Sequence, residues 1–151
     1  MPIWNRLRQA TQDMQSQLVS KKNELQSGAF RDASMAMCAL VAAADGRIDD
    51  SERAKVSGLI TSNEALSNFP PESLRSTFET YCGKLTADYQ LGKVELVQVV
   101  GKTKKKPAEA RAVIQIGIII GGADGNFDDQ EKAVVRECCH AVGIDPSEFE
   151  L

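Results

Sequence analysis

Apolar residues recur with helical spacing in two segments of the chain. In the first segment they are separated by four, three, one and three residues, which places them on one face of a helix. These positions are Ala33, Met37, Leu40, Val41 and Ala44. The same spacing returns 79 residues later at Ala112, Ile116, Ile119, Ile120 and Ala123. Taken alone, the second segment would also suit a buried strand, but its Ala- and Met-rich counterpart favours a helix, so both are predicted as helices.

Further helices are predicted before, between and after these two segments. A polar stretch over 3–26 has sparse apolar positions, which predicts a frayed or loosely docked helix. Pro71–Cys82 is predicted as a helix that begins with proline and ends before Gly83. Another helix is predicted over Thr86–Val100, and a short capped one opens at Pro146.

These elements predict an all-α protein of a single domain with about seven to eight helices. An N-terminal helix over 1–28 precedes a helical domain over 29–151. Within that domain, two repeats of helix, acidic turn and helix are predicted over about 31–62 and 107–142. Since aromatic residues make up only 5% of the chain, its core consists of small aliphatic side chains, which suit closely packed helices.

Composition narrows the function classes. The chain has 151 residues, with 42% hydrophobic and 26% charged positions, as is typical of a soluble globular domain. Its net charge of −3 argues against a nucleic-acid-binding protein. No apolar run approaches the roughly 20 residues that cross a bilayer, and the N-terminus has no signal-peptide core, so a cytoplasmic protein is expected. Four cysteines without paired spacing indicate reduced thiols.

One run of positive charge joins the two predicted repeats. The segment 102–106 contains four lysines around one threonine, which predicts an exposed loop. A solvated loop is one interpretation, and contact with an anionic partner or a membrane surface is the other.

Two short segments gather carboxylates directly after the two apolar helices. They cover 45–54 and 124–133, and each places three Asp and one Glu around a glycine and an apolar residue. Carboxylates this close repel one another unless a cation or backbone N–H groups satisfy them. The acidic positions are Asp45, Asp49, Asp50, Glu52, Asp124, Asp128, Asp129 and Glu131.

Helix capping explains most of these carboxylates. In the first turn, Gly46 is expected in the left-handed conformation and Asp49 is expected to cap the next helix, with Glu52 completing a capping box. Asp128 and Glu131 occupy the same places in the second turn, while Asp50 and Asp129 fall in the first helical turn, where the helix dipole favours anions. Capping leaves Asp45 and Asp124 unexplained.

The same residues also resemble half of a calcium-binding EF-hand loop. With Asp45 at loop position 5, Gly46, Asp49 and Glu52 fall at positions 6, 9 and 12, and the second turn matches in the same way. The first two ligand positions are apolar or small residues in both turns: Val41, Ala43, Ile120 and Gly122. Oxygen ligands predict Ca²⁺ or Mg²⁺ rather than Zn²⁺. The expected site is open and weak, and a docking surface for a basic partner is the alternative.

The soft ligands and possible nucleophiles are few. Cys138, Cys139 and His140 are adjacent on a predicted helix, so they point in different directions and do not converge on one ion. Both cysteines replace apolar residues of the first repeat and are predicted to lie in the core, as is Cys38, whereas Cys82 is predicted to be more exposed. Thiol chemistry remains an alternative. No catalytic motif is present, so a non-enzymatic protein is predicted.

The motif Ala-Asp-Gly-x-apolar-Asp-x-x-Glu, present twice between helices, resembles the TerB family of tellurite-resistance proteins from about residue 30 to the C-terminus. The resemblance implies an all-α cytoplasmic protein encoded in operons associated with resistance to tellurite, phage and pore-forming colicins. It also implies a metal ion held by the acidic residues of the two turns. The implied partners are the membrane protein TerC and other proteins of the operon, in a complex at the inner face of the inner membrane.

Overall fold

A computed structural model describes residues 3–123, 125 and 127–151, with side chains from residue 8 onward. The described residues form seven α-helices, three short 3₁₀ turns and no strand, which confirms the all-α prediction. The 3₁₀ turns are Lys22–Glu24, Glu64–Leu66 and Pro146–Phe149. The helices are α1 (Ile3–Ser20), α2 (Gly28–Ala42), α3 (Asp50–Ser62), α4 (Pro71–Ala87), α5 (Tyr89–Gly101), α6 (Pro107–Gly121) and α7 (Asp129–Val142).

Two buried helices, α2 and α6, form the centre of the fold. Every residue from Ala33 to Ala43 is buried, and α6 is buried over most of its length. The two helices approach closely because Gly117 has no side chain; a Cβ atom there would lie 2.6 Å from the Met37 sulfur. The remaining helices surround this pair, so α2 and α6 are apolar on nearly all sides.

The helix bounds place one acidic turn directly after each helix of this central pair. The starts of α2, α3, α6 and α7 and the ends of α2 and α6 all correspond at the 79-residue offset. Each of the two central helices therefore ends where an acidic turn begins. The interpretation of the two halves as an internal repeat stays a prediction.

The boundary between α4 and α5 differs from the predicted one. Gly83 does not end a helix, because α4 continues through it to Ala87, and Thr86 therefore belongs to α4 rather than to α5. Asp88 ends α4 and caps α5, with its Oδ1 accepting from Leu91 N at 3.1 Å. The capping side chain, rather than the glycine, sets the boundary.

The N-terminal helix is shorter than predicted and docks through a few contacts. α1 ends at Ser20, and its Leu18 is buried against the core. The side-chain amides of Gln15 and Asn63 exchange two hydrogen bonds of 3.0 and 2.9 Å. Gln115 Nε2 of α6 donates to Gln17 Oε1 at 2.9 Å. The early residues of α1, including Trp4 and Leu7, lie outside the described side chains.

The basic loop precedes α6, which begins with Pro107 at its first turn as predicted. The four lysines of 102–106 are exposed, but Thr103 is buried and its hydroxyl donates to the Val100 carbonyl at 2.8 Å. The loop is thus anchored at one point. Along the described helices, no segment is long and apolar enough to cross a membrane.

Candidate functional site

The first acidic turn has the local structure that capping predicts, with one addition. Gly46 has a φ of +98°, which confirms the left-handed position, and Asp49 Oδ1 accepts from Glu52 N at 2.7 Å. The addition is Asp45, whose Oδ1 accepts from Arg47 N at 3.2 Å. Asp45 is therefore a turn-forming residue, a role that the capping argument missed.

The second turn repeats this local structure. Gly125 has a φ of +79°, and Asp128 Oδ1 accepts from Glu131 N at 2.8 Å. The side chain of Glu131 returns to the backbone, because its Oε1 accepts from Asp128 N at 3.0 Å. This is a complete capping box, as predicted. Asp124 lies outside the described residues, so its predicted role is not described by the structure.

The two turns differ in one respect that capping did not predict. Asp49 caps α3, but the Glu52 side chain makes no return bond to the Asp49 N–H, so the box predicted for the first turn is only half formed. Glu52 instead contributes to the wall of a cleft. Its carboxylate is not explained by the cap.

This difference predicts unequal costs of removing the two glutamates. Glu131→Ala should destabilise the protein by roughly 0.5–1.5 kcal/mol more than Glu52→Ala, because only Glu131 closes a capping box. Both variants lose the same favourable interaction with a helix N-terminus, so that term cancels in the comparison. Urea denaturation of the two variants measures the difference. Equal losses would mean that the closing bond does not stabilise the folded protein.

The two turns meet across one cleft of about 230 Å³. Residues far apart in the sequence thus share a site, with carboxylates on both sides of an opening between the starts of α3 and α7. Asp50 and Asp129 lie in the first turns of these helices, as predicted, but do not line the cleft. The lining residues are Val41, Ala42, Ala44, Asp45, Arg47, Asp49, Glu52, Asp128, Gln130 and Glu131.

Backbone and hydroxyl donors hold Asp49 in its ionised form. The pKa of Asp49 is lowered chiefly by the hydrogen bond from Glu52 N, then by that from the Ser51 hydroxyl, with a smaller contribution from the charge of Arg47. A lowered pKa means that this cap stabilises the fold at neutral pH, and that its contribution is lost as the pH falls through the folded-state value. Asp49 is therefore a carboxylate at the cleft throughout the neutral range.

The described carboxylates line the cleft without converging on one point. Within the described part of the chain, no three His, Cys, Asp or Glu side chains are gathered closely enough to hold a metal ion. The cleft offers carboxylate and amide oxygens, which are ligands of Ca²⁺ and Mg²⁺. A cation held by both walls would therefore require the two turns to move toward each other.

All four cysteines are free and buried. This confirms the core positions predicted for Cys38, Cys138 and Cys139, but the prediction that Cys82 is more exposed is wrong, because Cys82 lies on the inner face of α4. Desolvation by burial raises the pKa of Cys82 and of Cys139 to about 11, and it raises the pKa values of the other two thiols still further. Arg53 partly offsets the shift at Cys82.

Two residues of the cleft were not singled out by the sequence analysis. Arg47 sits inside the first acidic turn, and Gln130 occupies the position of Ser51 in the second. Their positions within the motifs were visible in the sequence. Their orientation toward a common cleft was not, because it depends on how α2 and α6 pack.

Comparisons with known proteins agree with the motif. The family described as "Tellurite resistance protein TerB" matches residues 31–151, which include both turns and leave out α1. A curated relative, the "Tellurium resistance protein TerB" of an Alcaligenes species, is 22% identical over 118 residues, covering 78% of this chain and 97% of the relative. No solved structure gives a significant match.

Proposed function

The chain belongs to the TerB family of tellurite-resistance proteins, and from that premise we propose that it acts in tellurite resistance by binding a divalent cation between its two acidic turns. We place it in the cytoplasm as a non-enzymatic protein. The absence of a catalytic motif from the sequence supports a binding role.

One observation carries this proposal: the two turns face each other across a single cleft. Either turn alone is half of an EF-hand loop and lacks the first two ligands. In the fold, each turn has the other across the cleft, so a movement of the two turns toward each other would bring carboxylates of the second segment to the ligands of the first. Glu52 supports a role beyond capping, because its side chain lines the cleft and leaves the capping box open.

The donor set favours a hard cation. Of the acidic residues in the two motifs, Asp45, Asp49 and Glu52 would contribute from the first turn, and Asp128 and Glu131 from the second. Such oxygen ligands suit Ca²⁺ or Mg²⁺. When bound, the cation would neutralise mutually repelling carboxylates and hold the two turns together.

Calorimetry and amide NMR during Ca²⁺ and Mg²⁺ titrations test the site, with two matched variants on one helix. Glu52→Gln removes a charge that lines the cleft, and Asp50→Asn removes a charge two residues away that does not. We expect Glu52→Gln to weaken cation binding about tenfold or more and Asp50→Asn to have a much smaller effect. Both substitutions keep the size and polarity of the side chain.

Two outcomes would contradict the proposed site. One is the absence of heat and of amide shifts near both turns at millimolar cation. The other is an equal loss of affinity in the two variants, which would mean that the cation is held outside the cleft. If the titrations support the site, tellurite sensitivity of cells that carry only the Glu52→Gln protein would connect it to resistance.

A second candidate function is a metal-independent docking surface for a basic protein partner. It is favoured by Arg47, because a basic residue already lines the cleft together with five carboxylates. Cytoplasmic loops of membrane proteins are rich in Lys and Arg, so a membrane protein of the TerC type, together with other resistance-operon proteins, is the partner that we propose at the inner face of the membrane.

Chelation separates the two candidates. If the cleft is a docking surface only, co-purification of the TerC-type protein should persist in EDTA and be lost in the Glu52→Gln variant. If a cation is required, EDTA should release the partner from the unaltered protein, and added Ca²⁺ or Mg²⁺ should restore the complex.

A further inference from the structure

The cleft continues into an open groove that follows α3 to its last turn. This α3 groove has a volume of about 330 Å³. A narrow gap joins it to the cleft, because Glu52 and Glu131 line both the cleft and the gap. Leu59, Ile120 and Ala123 line both the gap and the groove. The lining thus runs along α3, whose 13 residues extend over about 20 Å.

The floor of the α3 groove is apolar and incompletely covered. Leu59 of α3 and Ile119 of α6 line it, and both side chains are only partly buried. The positions 79 residues away are covered. Cys138 corresponds to Leu59 and is fully buried, and Leu40 corresponds to Ile119 and is only 2% exposed. The groove is therefore an apolar surface that is open beside α3, whereas the corresponding surface beside α7 is closed.

A helix closes that corresponding surface. α5 packs against both α2 and α7, which correspond to α6 and α3 at the 79-residue offset. Its buried face consists of Gly92, Leu96 and Val100, spaced four residues apart. Near its start, Lys93 forms an ion pair of 2.9 Å with Glu137 of α7. The counterpart of the α3 groove thus holds a 13-residue helix with an apolar face and a basic residue near one end.

The N-terminal helix leaves the α3 groove open. α1 contains most of the residues 10–22, which correspond to α5 at the same offset, but it packs mainly against α6 and the turn Glu64–Leu66. Among the residues whose side chains are described, α1 reaches the groove only through Gln15. Gln15 is held at the far edge by its amide hydrogen bonds with Asn63. The space along α3 remains free for a helix of similar size to α5.

We propose that the α3 groove binds an amphipathic helix of a partner protein, with basic residues at the end that reaches the cleft. This inference rests on the second candidate function, the docking of a basic partner, and it specifies the form of that partner. Five carboxylates and one arginine line the cleft, so the near end of a bound helix meets a negative potential. The apolar floor binds residues at every third or fourth position of the helix, as α2 and α7 bind α5.

Three synthetic helical peptides of about 13 residues, titrated into the isotope-labelled full chain, test the groove by NMR. The first has leucine at every third or fourth position and arginines at one end. The second has glutamates in place of the arginines, and the third has serines in place of the leucines. We expect the first to shift amides along α3 and at the end of α6, and to bind about tenfold or more tightly than either of the others.

Matched variants locate the bound peptide. Leu59→Gln removes an apolar side chain from the groove, and Leu91→Gln removes one from α5 that is 57% exposed. We expect Leu59→Gln to weaken binding of the first peptide about tenfold and Leu91→Gln to leave it nearly unchanged.

A second pair avoids substitution in the packed part of α3. Ala123→Lys places a bulky positive charge at an exposed position in the groove, and Ala54→Lys places the same side chain at an exposed position of α3 outside the groove. Only Ala123→Lys should weaken binding of the first peptide, again by about tenfold.

The possible outcomes distinguish the groove from the candidate functions. If the third peptide binds as tightly as the first, or if Leu59→Gln and Ala123→Lys have no effect, the cleft alone docks a basic partner and the groove proposal is wrong. If the second peptide binds as tightly as the first, the basic end is wrong.

Two further outcomes would also overturn the partner helix. If none of the peptides binds at millimolar concentration, both the groove and the docking candidate fail, whereas a Ca²⁺ site measured by calorimetry would stand. If sedimentation shows a dimer that Leu59→Gln dissociates, a second copy of the chain covers the groove instead of a partner.

Discussion

The native protein should react with a thiol reagent about a hundredfold or more slowly than the unfolded chain at pH 8. All four cysteines are buried, and the reactive species is the thiolate. A pKa of about 11, as at Cys82 and Cys139, leaves about one thiolate in a thousand at pH 8. Reaction then depends on local opening of the core.

This measurement tests whether any thiol of the folded protein is accessible for direct chemistry with tellurite. A variant with Ser76→Cys, on the exposed face of α4, supplies a fast-reacting thiol as the control. Labelling is followed by absorbance in buffer and in urea. If any native thiol reacts as fast as the introduced one, an accessible cysteine exists and a thiol mechanism becomes the better account of resistance.

The second large effect, a loss of stability, is expected when one methyl group is added between α4 and α5. A Cβ atom at Gly92 would lie 2.8 Å from the Lys84 carbonyl oxygen and 3.1 Å from Leu85 Cα. Those are backbone atoms, so relief requires the two helices to separate. We expect Gly92→Ala to lower the free energy of unfolding by about 1–3 kcal/mol, despite alanine's higher helix propensity.

Gly83 provides the opposite case on the neighbouring helix. It also lies inside a helix, but a Cβ atom there would have nothing within 4 Å. Gly83→Ala should therefore stabilise the protein, by up to about 1 kcal/mol. Urea denaturation of both variants gives the comparison. Two stabilised variants would show that the α4–α5 approach tolerates a methyl group, and two destabilised variants would show that Gly83 is more confined than its surroundings indicate.

Local signals in the sequence predicted the helices and the caps well. The spacing of apolar residues identified α2 and α6, and Asp49 and Asp128 cap α3 and α7 as predicted. The errors were also local. Gly83 was interpreted as a helix end, although an exposed glycine inside a helix costs only about 1 kcal/mol and Asp88 provides the stronger boundary signal.

The site was harder to predict from the sequence than the helices, because it is formed by tertiary packing. The sequence pattern indicated a separate half-site in each acidic turn, with Asp50 and Asp129 among its acidic positions, but these two residues do not line the cleft. It did not predict that Asp45 fixes its own turn or that Arg47 enters the site. These facts follow from the side-by-side packing of α2 and α6, which brings together residues about 80 positions apart.

The walls of the cleft come from segments on either side of α4 and α5, which has a consequence for local opening. The starts of α3 and α7 are separated by the middle of the chain, so each can fray without the other. A ligand that spans the cleft couples the fraying of the two helix starts, because opening of either helix start releases the ligand. Amide hydrogen exchange at both helix starts would then slow together and by the same factor, although no contact within either helix had changed.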